Sequence, residues 1–291
     1  TDDQPGTAFD GADSVTYTLS FSEPVQSVTE TDLTVTGAEG YTVSHEAGSD
    51  TASVTVTVAD DSIENVSVSV NSSIVDIAGN PLIEAVDNTQ TVDTVNPTAF
   101  YSSEIMSSNK EDGVASDDDS VVAYTVDFSE PVSGITTGDI RVDGGAVSGP
   151  VNLSSDGLQA TFNVQANDNS VANLVVTVKD TVTDLKGNRL VESSSAPVAV
   201  DTVNPEVDTI ADDQTGIAFD SENTVTYTLT FSEAVQSVTE SDLTVSGAES
   251  FSVAHTADTD TATVTVTVAD DSMDNVSITV NDSIVDIAGN P

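Results

Sequence analysis

The chain has 291 residues, of which 50 are acidic and only 5 are basic, so its formal net charge at pH 7 is −45. A charge of this sign and size repels phosphate backbones and anionic lipid, which argues against nucleic acid and membrane surfaces as partners. The chain is 37% hydrophobic, which is enough for several small cores and too much for a disordered tail. It contains no cysteine, so disulfides are excluded, and bound metal ions are the other common means of stabilising small secreted domains.

The hydrophobic residues are spread along the chain in short runs. No stretch approaches the roughly 20 consecutive apolar residues of a membrane helix, and no signal peptide opens the sequence. We therefore expect no direct membrane insertion and interpret the chain as a segment from within a longer protein.

Three copies of one unit account for the whole sequence. The segment that begins YTLSFSEPV at Tyr17 returns in similar form at Tyr124 and Tyr227, after steps of 124 − 17 = 107 and 227 − 124 = 103 residues. The shorter motifs DIAGNP and DTVNP recur at similar spacing. Repeats one and three are nearly identical, whereas repeat two is divergent and carries all 5 basic residues. We assign residues 1–94 to repeat one, 95–202 to repeat two and 203–291 to repeat three. Repeat one lacks its first strand and repeat three lacks its last strand.

Within each repeat, apolar residues alternate with Thr and Ser at a period of two. Val15, Tyr17, Leu19 and Phe21 form one such series, which is typical of a strand with one buried and one solvated face. In repeat one we predict strands near residues 14–22, 32–36, 41–45, 52–58, 65–70 and 88–93. A further strand, EVDTI, opens repeat three, which makes about seven strands per unit and no amphipathic helix. The predicted fold is all-β, with three tandem immunoglobulin-like β-sandwich domains in an elongated rod.

The order and spacing of these motifs carry a family resemblance. FSEPV, then DLTV about nine residues later, then a D-x-A-G-N turn and a DTVNP linker resemble the bacterial immunoglobulin-like repeats of large secreted adhesins. The resemblance covers nearly the whole chain. It implies export by a type I system, as in calcium-dependent adhesins of the RTX type, display at the cell surface, a role in biofilm or surface attachment, and calcium at or near domain junctions. Repeat two departs from the pattern at Lys186 and Arg189, which puts its metal site in doubt.

Immunoglobulin strand order places the acidic residues of several loops at the ends of each unit. At the incoming end we expect the FSEPV loop, the DLTV aspartate and the D-x-A-G-N turn, with the linker acid arriving from the preceding unit. At the outgoing end lies the loop after the fifth strand. Carboxylates from two units then converge on each junction, and calcium is the ion that suits six to eight oxygen ligands. The predicted calcium ligands are Asp93, Asp201, Glu23, Glu130, Glu233, Asp32, Asp139, Asp242, Asp76, Asp184, Asp286, Asp61, Asp168 and Asp271.

A plainer interpretation applies to many of these acids, because Asp and Asn favour turns and acidic loops keep surface proteins soluble. For Asp76 and Asn80 a turn role is an equal rival, and residues 117–119 are interpreted as an exposed acidic turn. His45 and His255 occupy equivalent positions that repeat two lacks, which argues against a catalytic histidine. We therefore expect no enzymatic activity.

The repeats, the charge and the motifs are compatible with three functions. The favoured one is an extracellular, calcium-stiffened stalk that projects a distal binding domain from a bacterial cell surface. In that case the partners are calcium ions and the neighbouring repeats. The alternatives are a carbohydrate- or protein-binding module centred on repeat two, and a domain appended to a secreted hydrolase.

Overall fold

The computed structural model describes residues 1–11, 14–83, 87–106, 113–214, 224–268 and 275–291, and almost all of its regular structure is β-strand. Repeat one contains β1 (Ser14–Ser20), β2 (Leu33–Thr36), β3 (Ala38–His45), β4 (Thr51–Val58), β5 (Val66–Val70) and β6 (Asp87–Gln90). Repeat two contains β7 (Ala99–Ile105), β8 (Val114–Ala115), β9 (Val121–Phe128), β10 (Ile140–Asp143), β11 (Gly145–Leu153), β12 (Gln159–Ala166), β13 (Val175–Val178), β14 (Ser193–Ser194) and β15 (Ala199–Val200). Repeat three contains β16 (Val207–Asp212), β17 (Thr224–Val235), β18 (Leu243–Ser246), β19 (Ser250–His255), β20 (Thr259–Thr267) and β21 (Ser277–Val280). Three short 3-10 helices, Glu30–Asp32, Thr137–Asp139 and Glu240–Asp242, precede β2, β10 and β18.

Besides a short parallel pair in repeat two, β8 with β15, each repeat has two open antiparallel sheets among the described residues. Their strand orders are β1-β4-β3 and β2-β5-β6 in repeat one, β11-β12-β9-β7 and β10-β13-β14 in repeat two, and β16-β17-β20-β19 and β18-β21 in repeat three. The pairing within these sheets is antiparallel, as the short connections and the period of two predict.

Alternating burial along the strands produces the cores. In β4, Ala52, Val54, Val56 and Val58 are buried and the residues between them face outward. The buried residues of the two sheets of a repeat pack together, and three separate clusters result, one within each repeat. Fully burying a Val or Leu side chain contributes about 1.5–3 kcal/mol, so each cluster is the main source of stability for its own repeat.

The predicted last strand is split between two sheets. β6 ends at Gln90, and Val92 then forms an isolated parallel bridge with Ala8 on the other side of the repeat. Repeat two shows the same crossover, because β14 pairs with β13 whereas β15 pairs in parallel with β8. The sequence pattern predicts a single strand near 88–93. The alternation of apolar and polar residues indicates which side chains are buried, but it does not indicate which strand each residue pairs with.

One substitution explains why β17 is longer than its counterparts. The motif FSEPV ends β1 and β9 before Pro24 and Pro131, whereas repeat three has Ala234 at that position and β17 continues to Val235. Proline lacks the N–H that would continue a strand ladder, so its replacement by alanine allows the longer strand.

Candidate metal centre

Two groups of three carboxylates lie where one repeat follows the next. Within each group, one oxygen of each residue lies within 4.8 Å of the oxygens of the other two. Each group combines the acid of a DTVNP linker (residues 93–97 and 201–205), the glutamate of an FSE loop (residues 128–132 and 231–235) and the aspartate of a D-x-x-G-N turn (residues 184–188 and 286–290). Cluster one is Asp93, Glu130 and Asp184, and cluster two is Asp201, Glu233 and Asp286. Each cluster therefore joins the end of one repeat to the start of the next.

Main-chain pairing brings the FSE loop and the D-x-x-G-N turn of one repeat together. Val132 forms an isolated antiparallel bridge with Asp184, and Val235 forms the same bridge with Asp286. The glutamate lies two residues before the bridging valine, so it reaches the same end of the repeat as the aspartate. The FSE loop and the D-x-x-G-N turn therefore lie at the same end of the repeat, as expected.

The aspartate of the turn is held rigidly by its own loop. Oδ1 of Asp184 accepts hydrogen bonds from the N–H groups of Lys186 at 2.7 Å, Gly187 at 2.6 Å and Asn188 at 2.8 Å. Nδ2 of Asn188 donates to Oδ2 at 3.0 Å. Gly187 has a φ of 111°, a conformation that favours glycine and that the turn needs. Since a carboxylate offers about four lone-pair positions, Oδ2 retains one for a further ligand.

A buried threonine fixes each linker acid. Thr202, which is 1% exposed, donates its hydroxyl to the carbonyl of Asn167 at 2.8 Å and accepts a hydrogen bond from the N–H of Ser170 at 3.0 Å. Thr94 makes equivalent bonds in the preceding linker. The loop after the fifth strand thus packs on the outgoing linker and sets the position of the acid one residue earlier.

Mutual repulsion within the clusters perturbs the glutamates. Burial, and then the negative charges of Asp184 and Asp93, raise the pKa of Glu130. Burial and the other two acids of cluster two raise the pKa of Glu233 in the same way. At an effective dielectric constant of about 20, two charges within 4.8 Å repel by on the order of 3 kcal/mol before solvent screening. A cation between the three carboxylates would remove this repulsion.

Several oxygens of cluster one and its linker are buried without a donor. Oδ1 of Asp93, Oε1 of Glu130 and Oδ1 of Asn96 have no hydrogen-bond partner among the described residues. The ion pairs found in the described part of the chain lie elsewhere: Arg141 with Glu192, and Arg189 with Asp180. Buried acceptors without donors fit a cation bound through oxygen. Sequence reasoning missed Asn96 as a ligand candidate, although its recurrence as Asn204 in the next DTVNP linker was a usable signal.

The aspartates of the DLTV motif have another role in the structure. Oδ2 of Asp139 accepts hydrogen bonds from the N–H of Thr136 at 2.8 Å and from its hydroxyl at 2.7 Å, while Oδ1 accepts from the Thr181 hydroxyl at 2.8 Å. Burial opposes ionisation, but these hydrogen bonds lower the pKa of Asp139 overall. Asp32 and Asp242 cap the equivalent 3-10 helices in the same way. The structure therefore does not bring these three predicted ligands into either cluster.

Of the predicted ligands at the outgoing end, Asp61 and Asp168 belong to neither cluster. Asp61 and Asn169 share a left-handed backbone, with φ of 50° and 49°, so Asp168 is the structural equivalent of Asp60. Asp168 lies beside Asp117, whose pKa is raised by burial, by Asp168 and by Asp118. Asp117 is half-buried, which corrects the interpretation of residues 117–119 as an exposed run. Asp271 lies outside the described residues.

In repeat one the incoming end holds two of the three acids. Asp76 is buried, and its pKa is lowered mainly by hydrogen bonds from Asn80, whereas Glu23 is exposed. His45 also has a structural role, because its Nδ1 accepts a hydrogen bond from the N–H of Val28 at 3.2 Å. His255 makes the equivalent bond in repeat three.

One segment of the chain is similar to a known protein family. Residues 93–200 match the family model of the bacterial Ig-like domain. This match covers nearly all of repeat two and the three acids of cluster one, and none of the curated proteins matches the chain. No helix within the described ranges is long and apolar enough to cross a membrane.

The solved structures that are similar to this chain are distant from it in sequence. They include the S-layer protein rSbsC, with 16% identity over 98% of this chain and 54% of the other and a TM-score of 0.22. Invasin, a bacterial integrin-binding protein, shows 15% identity over 96% of this chain and 55% of the other, with a TM-score of 0.32. A Bacteroides ovatus protein, SGBP-B, solved with a mixed-linkage heptasaccharide, shows 14% identity over 100% of this chain and 62% of the other, with a TM-score of 0.18. The chain spans about half the length of the first structures it matches.

Proposed function

We propose that each cluster binds a calcium ion and that the bound ion fixes successive Ig-like repeats in line, in a stalk segment of a bacterial surface adhesin. The observation that carries this proposal is the geometry of cluster one. Asp93 from the linker and Glu130 and Asp184 from the next repeat place oxygens within 4.8 Å of one another, and two of these residues have a buried oxygen without a donor. An ion held by both sides of a junction opposes movement of one repeat against the other.

The donor set favours calcium among the common metal ions. Calcium takes six to eight oxygen ligands in flexible geometry, whereas zinc favours thiolate and imidazole and magnesium demands a smaller octahedral site. The clusters contain carboxylates only, and the amide oxygens of Asn96 and its equivalent Asn204 are further candidate ligands. When bound, the ion would supply positive charge, which favours the ionised form of the carboxylates. The acidic residues of each cluster would hold it.

The stalk assignment rests on repetition. The same acids recur at both junctions, repeats one and three are nearly identical, and a unit copied for length needs no unique pocket. Pro97 and Pro205 restrict the backbone of each linker. Strands of about seven residues rise about 3.3 Å per residue, and with the loops at both ends added we expect one repeat to advance the chain by about 35–45 Å and three repeats to form a rod of about 110–130 Å.

We also propose that the protein is extracellular and non-catalytic, and that it is part of a secreted adhesin of the RTX type that a type I system exports. The resemblance of the motifs supports this assignment, and the Ig-like match over residues 93–200 supports the type of repeat. A binding role for repeat two draws little support from its basic residues, because Arg141 and Arg189 pair with acids of the same repeat and Lys179 donates to the carbonyl of Gly138 at 2.7 Å.

Small-angle scattering and thermal melts with calcium or chelator, at constant ionic strength, test the proposal. Calcium at a hundredfold excess over its dissociation constant should stabilise the chain by about 2.7 kcal/mol and lengthen the particle. Asp201→Ala and Glu233→Ala should each abolish the response of the second junction. Glu23→Ala is the matched control, since Glu23 has the same motif position but is exposed. Identical profiles with calcium and chelator would refute the stalk mechanism.

A further inference from the structure

The asparagine that closes each D-x-x-G-N turn contacts the preceding repeat as well as its own. Nδ2 of Asn188 donates to the main-chain carbonyl of Asp93 at 2.9 Å, and its Oδ1 accepts a hydrogen bond from the N–H of Asp10 at 2.7 Å. Asn188 belongs to repeat two, whereas Asp10 belongs to repeat one and Asp93 to the linker between them. One side chain thus bonds both to the body of the preceding repeat and to its outgoing linker.

The same arrangement occurs independently at the second junction. Nδ2 of Asn290 donates to the carbonyls of Asp201 at 2.8 Å and Val203 at 3.1 Å, and its Oδ1 accepts from the N–H of Asp117 at 2.7 Å. Asp117 is the equivalent of Asp10, at an offset of 117 − 10 = 107 residues. Two junctions with different flanking sequences therefore use one hydrogen-bond pattern.

Burial shows that these contacts are part of a packed interface. Asn188 and Asn290 are both 0% exposed, whereas Asn80, which has the same position in repeat one, is exposed. At the first junction Phe9 of repeat one covers the turn, because a Cβ added at Gly187 would lie 3.5 Å from its ring. A buried side-chain amide whose hydrogen bonds are all made helps to fix the orientation of the groups it contacts. Leaving such an amide without hydrogen-bond partners destabilises the folded state.

We propose that Asn188 and Asn290 are positioning residues that set the orientation of successive repeats through metal-independent hydrogen bonds. The groups they recognise on the preceding repeat are main-chain atoms, one N–H and one or two carbonyls, so the contact tolerates sequence changes between repeats such as Phe9 to Ser116. The same amide donates to the turn aspartate, at 3.0 Å from Asn188 to Asp184 and 2.8 Å from Asn290 to Asp286. It therefore links the placement of the preceding repeat to the carboxylate of each cluster.

This inference does not depend on calcium. Its test is therefore made in chelator, where no calcium is bound and the proposed stalk mechanism does not operate. The chain has no cysteine, and exposed positions Ala47, Ser155 and Ala257 can each carry a spin label on an introduced cysteine. Asn188→Ala should broaden the distance distribution between labels 47 and 155 and leave the distribution between 155 and 257 unchanged. Asn290→Ala should do the reverse. Asn80→Ala, which removes only the bonds within a turn, should change neither distribution.

Three further measurements test the positioning role. Asn188→Asp loses the donor to the Asp93 carbonyl and also sets a carboxylate against Oδ2 of Asp184, so its matched control is Asn80→Asp, which makes the same change against Asp76 within a turn. A positioning role predicts that Asn188→Asp broadens the distance distribution of the first junction and that Asn80→Asp does not. In the unaltered protein in chelator, the amide protons of Asp10 and Asp117 should be protected from hydrogen exchange, which requires no variant to fold. With calcium present, Asn188→Ala should weaken binding at cluster one by about 10- to 100-fold, as loss of a ligand's supporting hydrogen bond does. Unchanged distance distributions in both alanine variants, or unprotected amides at Asp10 and Asp117, would overturn the proposal.

Discussion

Asp93 and Glu130 belong to different repeats, yet their carboxylate oxygens lie within 4.8 Å of each other. Each has one buried oxygen without a hydrogen-bond donor. A pair of acids in this state favours either a proton or a cation at the junction. The stiffness of the junction and its response to pH should therefore depend on which of the two is bound.

Removing one charge should stiffen the first junction when calcium is absent. Burial, and then repulsion by Asp184 and Asp93, raise the pKa of Glu130; Glu130→Gln removes this charge, so the distance distribution across the junction in chelator should narrow. The same variant should weaken calcium binding at cluster one by roughly tenfold or more, about 1.4 kcal/mol per factor of ten. Glu23→Gln serves as the control because Glu23 is exposed. A Glu130→Gln chain that binds calcium with unaltered affinity would remove Glu130 from the ligand set.

The effect of pH should have opposite sign with and without calcium. The pKa values of Glu130 and Glu233 are raised in the folded chain, so their contribution to stability is present below the ordinary glutamate pKa, about 4.3, and is lost as the pH rises through the folded values. In chelator, melting temperature should therefore increase as the pH falls from neutral toward that range. At lower pH it should fall again, since hydrogen bonds hold the pKa values of Asp76 and Asp139 below their ordinary range.

With calcium bound, protons compete with the ion for the same carboxylates. Lowering the pH from neutral toward the ordinary glutamate pKa should therefore lower the melting temperature. Melts at a series of pH values, with calcium and with chelator at matched ionic strength, measure both slopes. Parallel slopes in the two conditions would show that the glutamates do not bind the ion.

The aspartates of the DLTV motif should act on local stability alone. Asp139→Ala removes the cap of the 3-10 helix Thr137–Asp139 and should cost about 1 kcal/mol, the usual value for a lost cap. Calcium affinity should be unaltered. Chemical denaturation gives the first quantity and calorimetric titration the second. A loss of calcium affinity would return Asp139 to the ligand set.

Thr202→Val should loosen the second linker with little change in volume. The Thr202 hydroxyl accepts from the Ser170 N–H and donates to the Asn167 carbonyl, and removing it loses two part-buried hydrogen bonds, at a cost of about 0.5–1.5 kcal/mol each. Hydrogen exchange at Ser170 should accelerate, and cluster two should bind calcium more weakly because Asp201 adjoins this threonine. Exchange at Ser62, which faces Thr94 in the preceding linker, is the internal control.

Much of the strand content is determined by local sequence. The alternation of Val15, Tyr17 and Leu19 with threonine and serine marks β1 and its buried face, because side chains on a strand point to opposite sides in turn. The same is true of β4 and β5, whose predicted bounds of 52–58 and 65–70 lie within one residue of those observed. Pairing between elements distant in the chain, such as the parallel bridge of Ala8 with Val92, leaves no mark on periodicity.

For the candidate site, the recurring motifs alone identify the residue types at the junctions, and they place Asp93, Glu130 and Asp184 among the predicted ligands. Which acids of this large set meet depends on the three-dimensional packing. Asp139 has the same charge and lies in an adjacent loop, but its oxygens accept hydrogen bonds from Thr136 and Thr181 within its own repeat. Asn188 looks like a turn residue from its motif alone. Its contacts with Asp10 and Asp93 depend on the tertiary structure, which brings together residues that are remote in the chain.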